Sequence, residues 1–115
     1  MTRSSQTRFP LSFNQESQWL LNRLLPESSI YNVYSGWNLT GPLDPDLLQR
    51  SLALVLERQC ALRVSIVAEN GVPWQTIETP SLPFTVVELA GLTAAEKTAE
   101  TARIAREFIR QPFHL

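Results

Sequence analysis

One cysteine and one histidine in 115 residues leave little from which to build a reactive centre. A lone Cys60 excludes an internal disulfide, and Cys60 with His114 cannot supply the ligand set of a zinc site. Charge is also sparse, at 18% of residues, where about a quarter is usual. Ten basic side chains against eleven acidic ones give a net charge of −1. That balance argues against a nucleic-acid-binding arm and against a polybasic membrane patch. No apolar run approaches the ~20 residues that cross a bilayer. The first thirty residues contain Gln, Asn, Glu and two prolines, which a signal peptide would not. The four glycines, Gly36, Gly41, Gly71 and Gly91, are isolated, so no phosphate-cradling loop is present. A cytoplasmic, reduced, single-domain protein is the expectation, and 43% apolar residues are enough for one core.

Residues 1–10 are polar and unpatterned and read as a flexible lead; residues 11–115 carry the pattern. Ser12 followed by Gln15 forms a capping box and predicts a helix over 13–25, with Trp19, Leu20, Leu24 and Phe13 as its apolar face. Over 31–39 the period changes to two. Tyr31, Val33, Trp37 and Leu39 share one face with Ser35, and Asn32, Tyr34, Gly36 and Asn38 share the other, which predicts a strand. Asp44-Pro45 opens a second helix, running to residue 57 or 58, with a broad leucine face. Alternation over 62–69, the Asn70-Gly71 dipeptide and a return run over 72–78 predict a hairpin. A short strand is expected over 84–89. Thr93 and Glu96 form a second capping box before a helix over 94–110, with Ala102, Ala105, Phe108 and Ile109 inward. The order α-β-α-β-β-β-α with an antiparallel hairpin predicts an α+β, two-layer sandwich.

Few residues support catalysis. His114 stands one place from the last residue, where side chains are usually mobile, and is expected to be inert. Cys60 has no basic neighbour and reads as a small buried hydrophobe. Asp44 is explained as a helix cap and Asp46 as a first-turn acid facing the helix dipole. Arg58 suits a helix C-terminus, and Arg63 reads as a strand residue facing solvent.

Residues 11–26, LSFNQESQWLLNRLLP, resemble the first core motif of nonribosomal peptide synthetase condensation domains, through Leu11, Ser12, Gln15, Trp19, Leu20 and Leu24. The arginine usual shortly after the glutamine is replaced by Ser17 and Gln18. Tyr31-Asn32 and Leu39-x-Gly41-x-Leu43-Asp44 continue the pattern. Residues 58–66, RQCALRVSI, resemble the second core motif through Arg58, Leu62 and Arg63; Gln59, Cys60, Val64 and Ile66 depart from it. Asn70-Gly71-x-Pro73-x-Gln75 and Pro112-Phe113-x-Leu115 also fit, with His114 where Asp is usual.

The resemblance implies the N-terminal half of a chloramphenicol acetyltransferase-like fold, in which two α/β halves enclose a tunnel. It implies a parent activity of amide-bond formation between acyl or aminoacyl groups carried on the phosphopantetheine arms of carrier proteins. No cofactor is expected to bind the chain directly, and no metal. The family's His-His-x-x-x-Asp-Gly motif is not among these residues. A partial domain, inactive alone, is therefore expected, with no catalytic residue of its own. Ser12, Gln15, Trp19, Arg58, Leu62 and Arg63 enter as motif residues with structural roles, the arginines through ion pairs. Carrier domains and the missing C-terminal half are the expected partners, with self-association through the uncovered face. The other readings are a non-catalytic module that binds a carrier or partner, and another carrier- or CoA-dependent acyltransferase.

Overall fold

The computed structural model describes residues 7–115. The first six residues of the polar lead lie outside them. Three antiparallel strands form one sheet, in the order β1 (Arg8–Pro10), β3 (Val72–Ile77), β2 (Val64–Glu69). Three helices accompany it: α1 (Phe13–Leu24), α2 (Pro45–Arg58) and α3 (Ala94–Arg110). A single 3₁₀ turn, Cys60–Arg63, joins α2 to β2. The α+β class follows directly from these elements.

Local chemistry starts each helix. The Ser12 hydroxyl accepts from the Gln15 amide at 3.2 Å, and the Gln15 side chain accepts from the Ser12 amide at 2.8 Å. Thr93 and Glu96 repeat the exchange at 3.2 and 2.9 Å. Asp44 caps α2 by accepting from the amides of Asp46 and Leu47, with Pro45 at the first helical position. Caps of this type contribute about 1 kcal/mol each. On the outer side of α3, Arg103 donates to Glu100 and, at 2.8 Å, to Glu107. The hydrogen bond from Arg103 holds the Glu100 carboxyl below its ordinary value.

The hairpin turns at Asn70 (φ +53°) and Gly71 (φ +78°), the paired left-handed residues that a two-residue turn requires. Its register runs from Val64 opposite Ile77 to Glu69 opposite Val72. On the other edge of β3, Arg8 faces Thr76 and Pro10 faces Trp74. These three residues belong to the expected flexible lead, yet they are an ordered edge strand. Pro10 is tolerated because its missing donor lies at a sheet edge. The Arg8 guanidinium pairs with Glu69 and lies 4.8 Å from the centre of the Trp74 ring.

Two expected strands are not formed. Residues 31–39 form no strand, with Tyr31 in a turn and the Asn32 amide bonded to the Ser29 carbonyl, and 84–89 form none either. Alternation makes a segment fit for a sheet, but only a hydrogen-bonded neighbour makes it a strand. The sandwich is correspondingly open. Among the described residues no apolar side chain is buried; the one buried residue is Thr76, 4% exposed, next to the end of β3. Phe13, Leu20 and Leu24 of α1 and Phe108 of α3, expected inward, are exposed. Cys60, expected as a small buried hydrophobe, is exposed at the start of the 3₁₀ turn. The radius of gyration is 18.2 Å, against about 13 Å for a compact domain of this length. The accessible surface is 10051 Å², about 1.6 times the value for a compact domain of this mass. No helix is long and apolar enough to cross a membrane.

Two outcomes are expected. The chain alone binds an apolar-surface dye such as anilinonaphthalene sulfonate; a dye-silent chain would contradict the open core. Gly71→Ala puts a Cβ on a left-handed backbone at a cost of about 1–2 kcal/mol. It should therefore lower amide-exchange protection across β2 and β3 but not in α3.

Candidate functional site

Gln15 does more than complete a cap. Its side-chain amide exchanges hydrogen bonds with that of Gln75 on β3, at 3.3 and 3.4 Å. Gln75 also donates to the Pro10 carbonyl at 2.8 Å. One pair of amides thus fastens α1, β1 and β3 together. The first motif's Ser12 and Gln15 meet the Gln75 of the hairpin segment there. Trp19 is half-buried on α1, with the Arg23 guanidinium 4.9 Å from its ring centre, a contact worth about 0.5–1 kcal/mol at an exposed site.

Arg63 ends the 3₁₀ turn and is half-buried rather than turned to solvent. Its Nε donates to the Leu56 carbonyl at 3.0 Å, Nη2 to Glu57 at 3.2 Å and Nη1 to Glu78 at 2.7 Å. The first two acceptors are carbonyls that the end of α2 leaves without helical donors. The third lies just past β3, where the Glu78 amide donates back to the Arg63 carbonyl at 2.8 Å. The fork therefore ties α2 to the sheet through backbone oxygens, and Arg63 makes no ion pair among the described residues. Arg58 is the last residue of α2, and its side chain makes no hydrogen bond or ion pair among the described residues. Leu62 is exposed. The second-motif residues are thus neighbours in the chain, but Arg63 alone of the three is knitted into the fold.

A cleft lies where α1, β2 and the loop after α1 converge on the C-terminal segment 111–115. Asn22 of α1 donates to the Phe113 carbonyl at 2.7 Å and accepts from the Leu115 amide at 3.3 Å. It meets backbone groups two residues apart, as a neighbouring strand would. Asn32 donates to the carbonyls of Ile109 at 3.2 Å and Gln111 at 2.8 Å, tying its loop to the end of α3. Phe113 and Leu115 separate two grooves. One, of about 560 Å³, is lined by Leu21, Leu25, Ile30, Tyr31 and Val33 with Asn22 and Asn32. The other, of about 460 Å³, is lined by Gln15, Gln18, Val64, Ile66 and His114. Alternation alone gives Asn32 no more than a hydrated strand face, and Asn22 carries no signal: its partners are 91 and 93 residues away.

Such walls can hold an apolar chain and satisfy a few amides; Ser65 and His114 both line the second groove, but no hydrogen bond joins them among the described residues. No group of three or more metal-ligating side chains occurs among the described residues.

A family model for the condensation domain matches residues 5–115. A linear gramicidin synthase polypeptide of Brevibacillus parabrevis is 37% identical over 107 residues, covering 92% of this chain and 2% of that protein. Phosphinothricin tripeptide synthetase PhsB of Streptomyces viridochromogenes is 31% identical over 107 residues, covering 92% of this chain and 9% of its own length. A probable non-canonical nonribosomal peptide synthetase of Salinispora arenicola, CymA, is 35% identical over 99 residues, 86% of this chain and 1% of its own. The chain thus spans a small fraction of these curated relatives. No solved structure matches it.

Lysine at position 63 keeps the charge but loses the planar fork that reaches three carbonyls. Arg63→Lys should destabilise the fold by about 1–3 kcal/mol, read as a lower urea midpoint, whereas Arg58→Lys should leave the midpoint unchanged. Equal effects would contradict the geometry.

Proposed function

The chain belongs to the condensation-domain family, and we propose that it forms the N-terminal part of a domain that joins two carrier-bound groups through an amide bond. In that reaction the amine of an acceptor, held as a thioester on one carrier's phosphopantetheine arm, attacks the thioester carbonyl of a donor on another. A tetrahedral oxyanion forms, the carbon–sulfur bond breaks, and the amine proton is passed on as the thiol leaves. The single observation that carries this reading is the family match over residues 5–115. The folded motif residues support it: Ser12, Gln15 and Gln75 converge, and Arg63 locks α2 to the sheet. Their contacts are to backbone and to one another, which suits a scaffold rather than a reacting centre.

The proposed partners are carrier-protein domains in the cytoplasm and the remainder of the condensation domain. The open sandwich supports a remainder, since apolar faces of α1, α2 and the 31–39 segment are left to water. The single histidine, His114, is exposed and has no hydrogen-bond partner among the described residues, so proton handling at the amine falls to groups outside these 115 residues.

Carrier proteins loaded with donor and acceptor aminoacyl groups provide the test. The chain alone should give no dipeptidyl thioester by mass spectrometry. Adding the rest of a condensation domain should raise formation above the carrier-only background. Turnover by the chain alone, or none by the combination when it is shown to bind, would overturn the reading.

A further inference from the structure

Of the five asparagines, Asn70 alone precedes a glycine. Asn14 and Asn22 lie within α1, followed by Gln15 and Arg23, while Asn32 and Asn38 precede Val33 and Leu39. The difference is chemical. An asparagine side-chain carbonyl carbon and the next backbone nitrogen can close a five-membered ring. A Cβ on the following residue shields that nitrogen, and glycine has none.

The fold leaves the Asn70-Gly71 pair open to that closure. Both residues form the exposed tip of the β2–β3 hairpin. Asn70 (φ +53°) is the one non-glycine residue at positive φ among the described residues, and Gly71 follows at φ +78°. No atom lies within 4 Å of the place a Cβ would take on Gly71. The ladder ends where Glu69 faces Val72, and the Gly71 amide donates no hydrogen bond among the described residues. Its nitrogen is therefore neither screened by a side chain nor held by an acceptor.

We propose that Asn70-Gly71 is a self-modifying site whose isoaspartyl product opens the hairpin. A base takes the Gly71 amide proton, and the nitrogen attacks the Asn70 side-chain carbonyl carbon. One C–N bond forms, the bond to the side-chain nitrogen breaks, and ammonia leaves with the proton. Water then opens the succinimide. Cleavage at the side-chain carbonyl gives aspartate; cleavage at the main-chain carbonyl gives isoaspartate. One water is consumed and one ammonia released, and nothing is oxidised or reduced. Aspartate suits the same two-residue turn. Isoaspartate routes the chain through its side-chain carbon and adds a backbone atom to that turn. Glu69 and Val72 can then no longer face each other in register. The Arg8 guanidinium, which pairs with Glu69 and stacks on Trp74, sits at this end of the sheet and loses its seat. The site stands apart from the reaction proposed above and needs no carrier protein.

The intact chain, held in neutral water enriched in heavy oxygen and then cut with trypsin, reads the site directly. The peptide 64–97 holds Asn70 as its sole asparagine. There an amide nitrogen should be exchanged for a labelled oxygen at least about tenfold faster than at Asn14, Asn22, Asn32 or Asn38, whose following residues carry a Cβ. Isoaspartate is read with a protein isoaspartyl methyltransferase, which moves a methyl group from S-adenosylmethionine to the new carboxylate. Asn70→Gln, which would have to close a larger ring, should take up neither label nor methyl group. The isoaspartyl chain should lose amide-exchange protection over β2 and β3 and keep it in α3. Freshly purified Asn70→Asp carries the same added charge on an ordinary backbone and should keep that protection.

Conversion at Asn70 no faster than at the other asparagines overturns the site. Isoaspartate formed with β2 and β3 still protected overturns the opening of the hairpin. Equal loss of protection in Asn70→Asp does so too, since charge beside Glu69 would then be the cause. Failure of the carrier assay would sink the reaction and leave this site standing.

Discussion

On both sides of β3 the backbone is consumed by antiparallel partners, and the helices that reach the sheet through side chains do so at β3 or next to it. Gln75 of β3 holds α1 through Gln15 and holds β1 through Pro10. Arg63 holds α2 and reaches Glu78, one residue beyond β3. Thr76 is buried next to the end of the strand, its hydroxyl bonded to the Ser65 carbonyl at 3.4 Å and to Glu78 at 3.1 Å. Directional polar contacts do here what a packed apolar core does in a closed domain. They fix positions well, but each has a modest net worth of about 0.5–1.5 kcal/mol. The loss of any one is therefore felt by several elements together.

The same constraint explains the cleft. With no apolar layer between α1 and the sheet, Asn22 and Asn32 hold the C-terminal segment and the loop after α1 by bonds to backbone oxygens and one amide. The groove walls of Leu21, Leu25, Ile30 and Val33 stay open to solvent for want of anything between them. Exposed apolar surface beyond a few hundred Å² is rare on isolated proteins and marks a surface meant for contact. In a member of the condensation-domain family, the scaffold and the uncovered faces are two aspects of one design. The motif residues set the frame, and the frame leaves apolar surface uncovered.

The helices were legible because their start signals are local: each capping box and the Asp44-Pro45 pair lie within four residues and produce the helices they announce. The hairpin was legible for the same reason, through Asn70-Gly71. What sequence could not supply was partnership over distance. Period two over 31–39 fits a strand, but no periodicity states whether a neighbouring strand is present. Strand β1 is three residues long, has no alternation and ends in a proline, so nothing local distinguishes it from a lead; its register comes from β3, some 65 residues on. Of the site, Gln15 was legible as a cap but not as the partner of Gln75, and Arg63 as a motif residue but not as a clamp on carbonyls. Asn22 gave no signal because an isolated asparagine on a helix is ordinarily a surface residue.

The central claim is that these residues fold as a framework whose apolar faces remain uncovered. Small-angle X-ray scattering on the chain, diluted until association is negligible, tests it most directly. The account predicts a radius of gyration near 18.2 Å. A value near 13 Å, that of a sealed domain of this length, would show that the chain closes its own core, and would contradict the open framework.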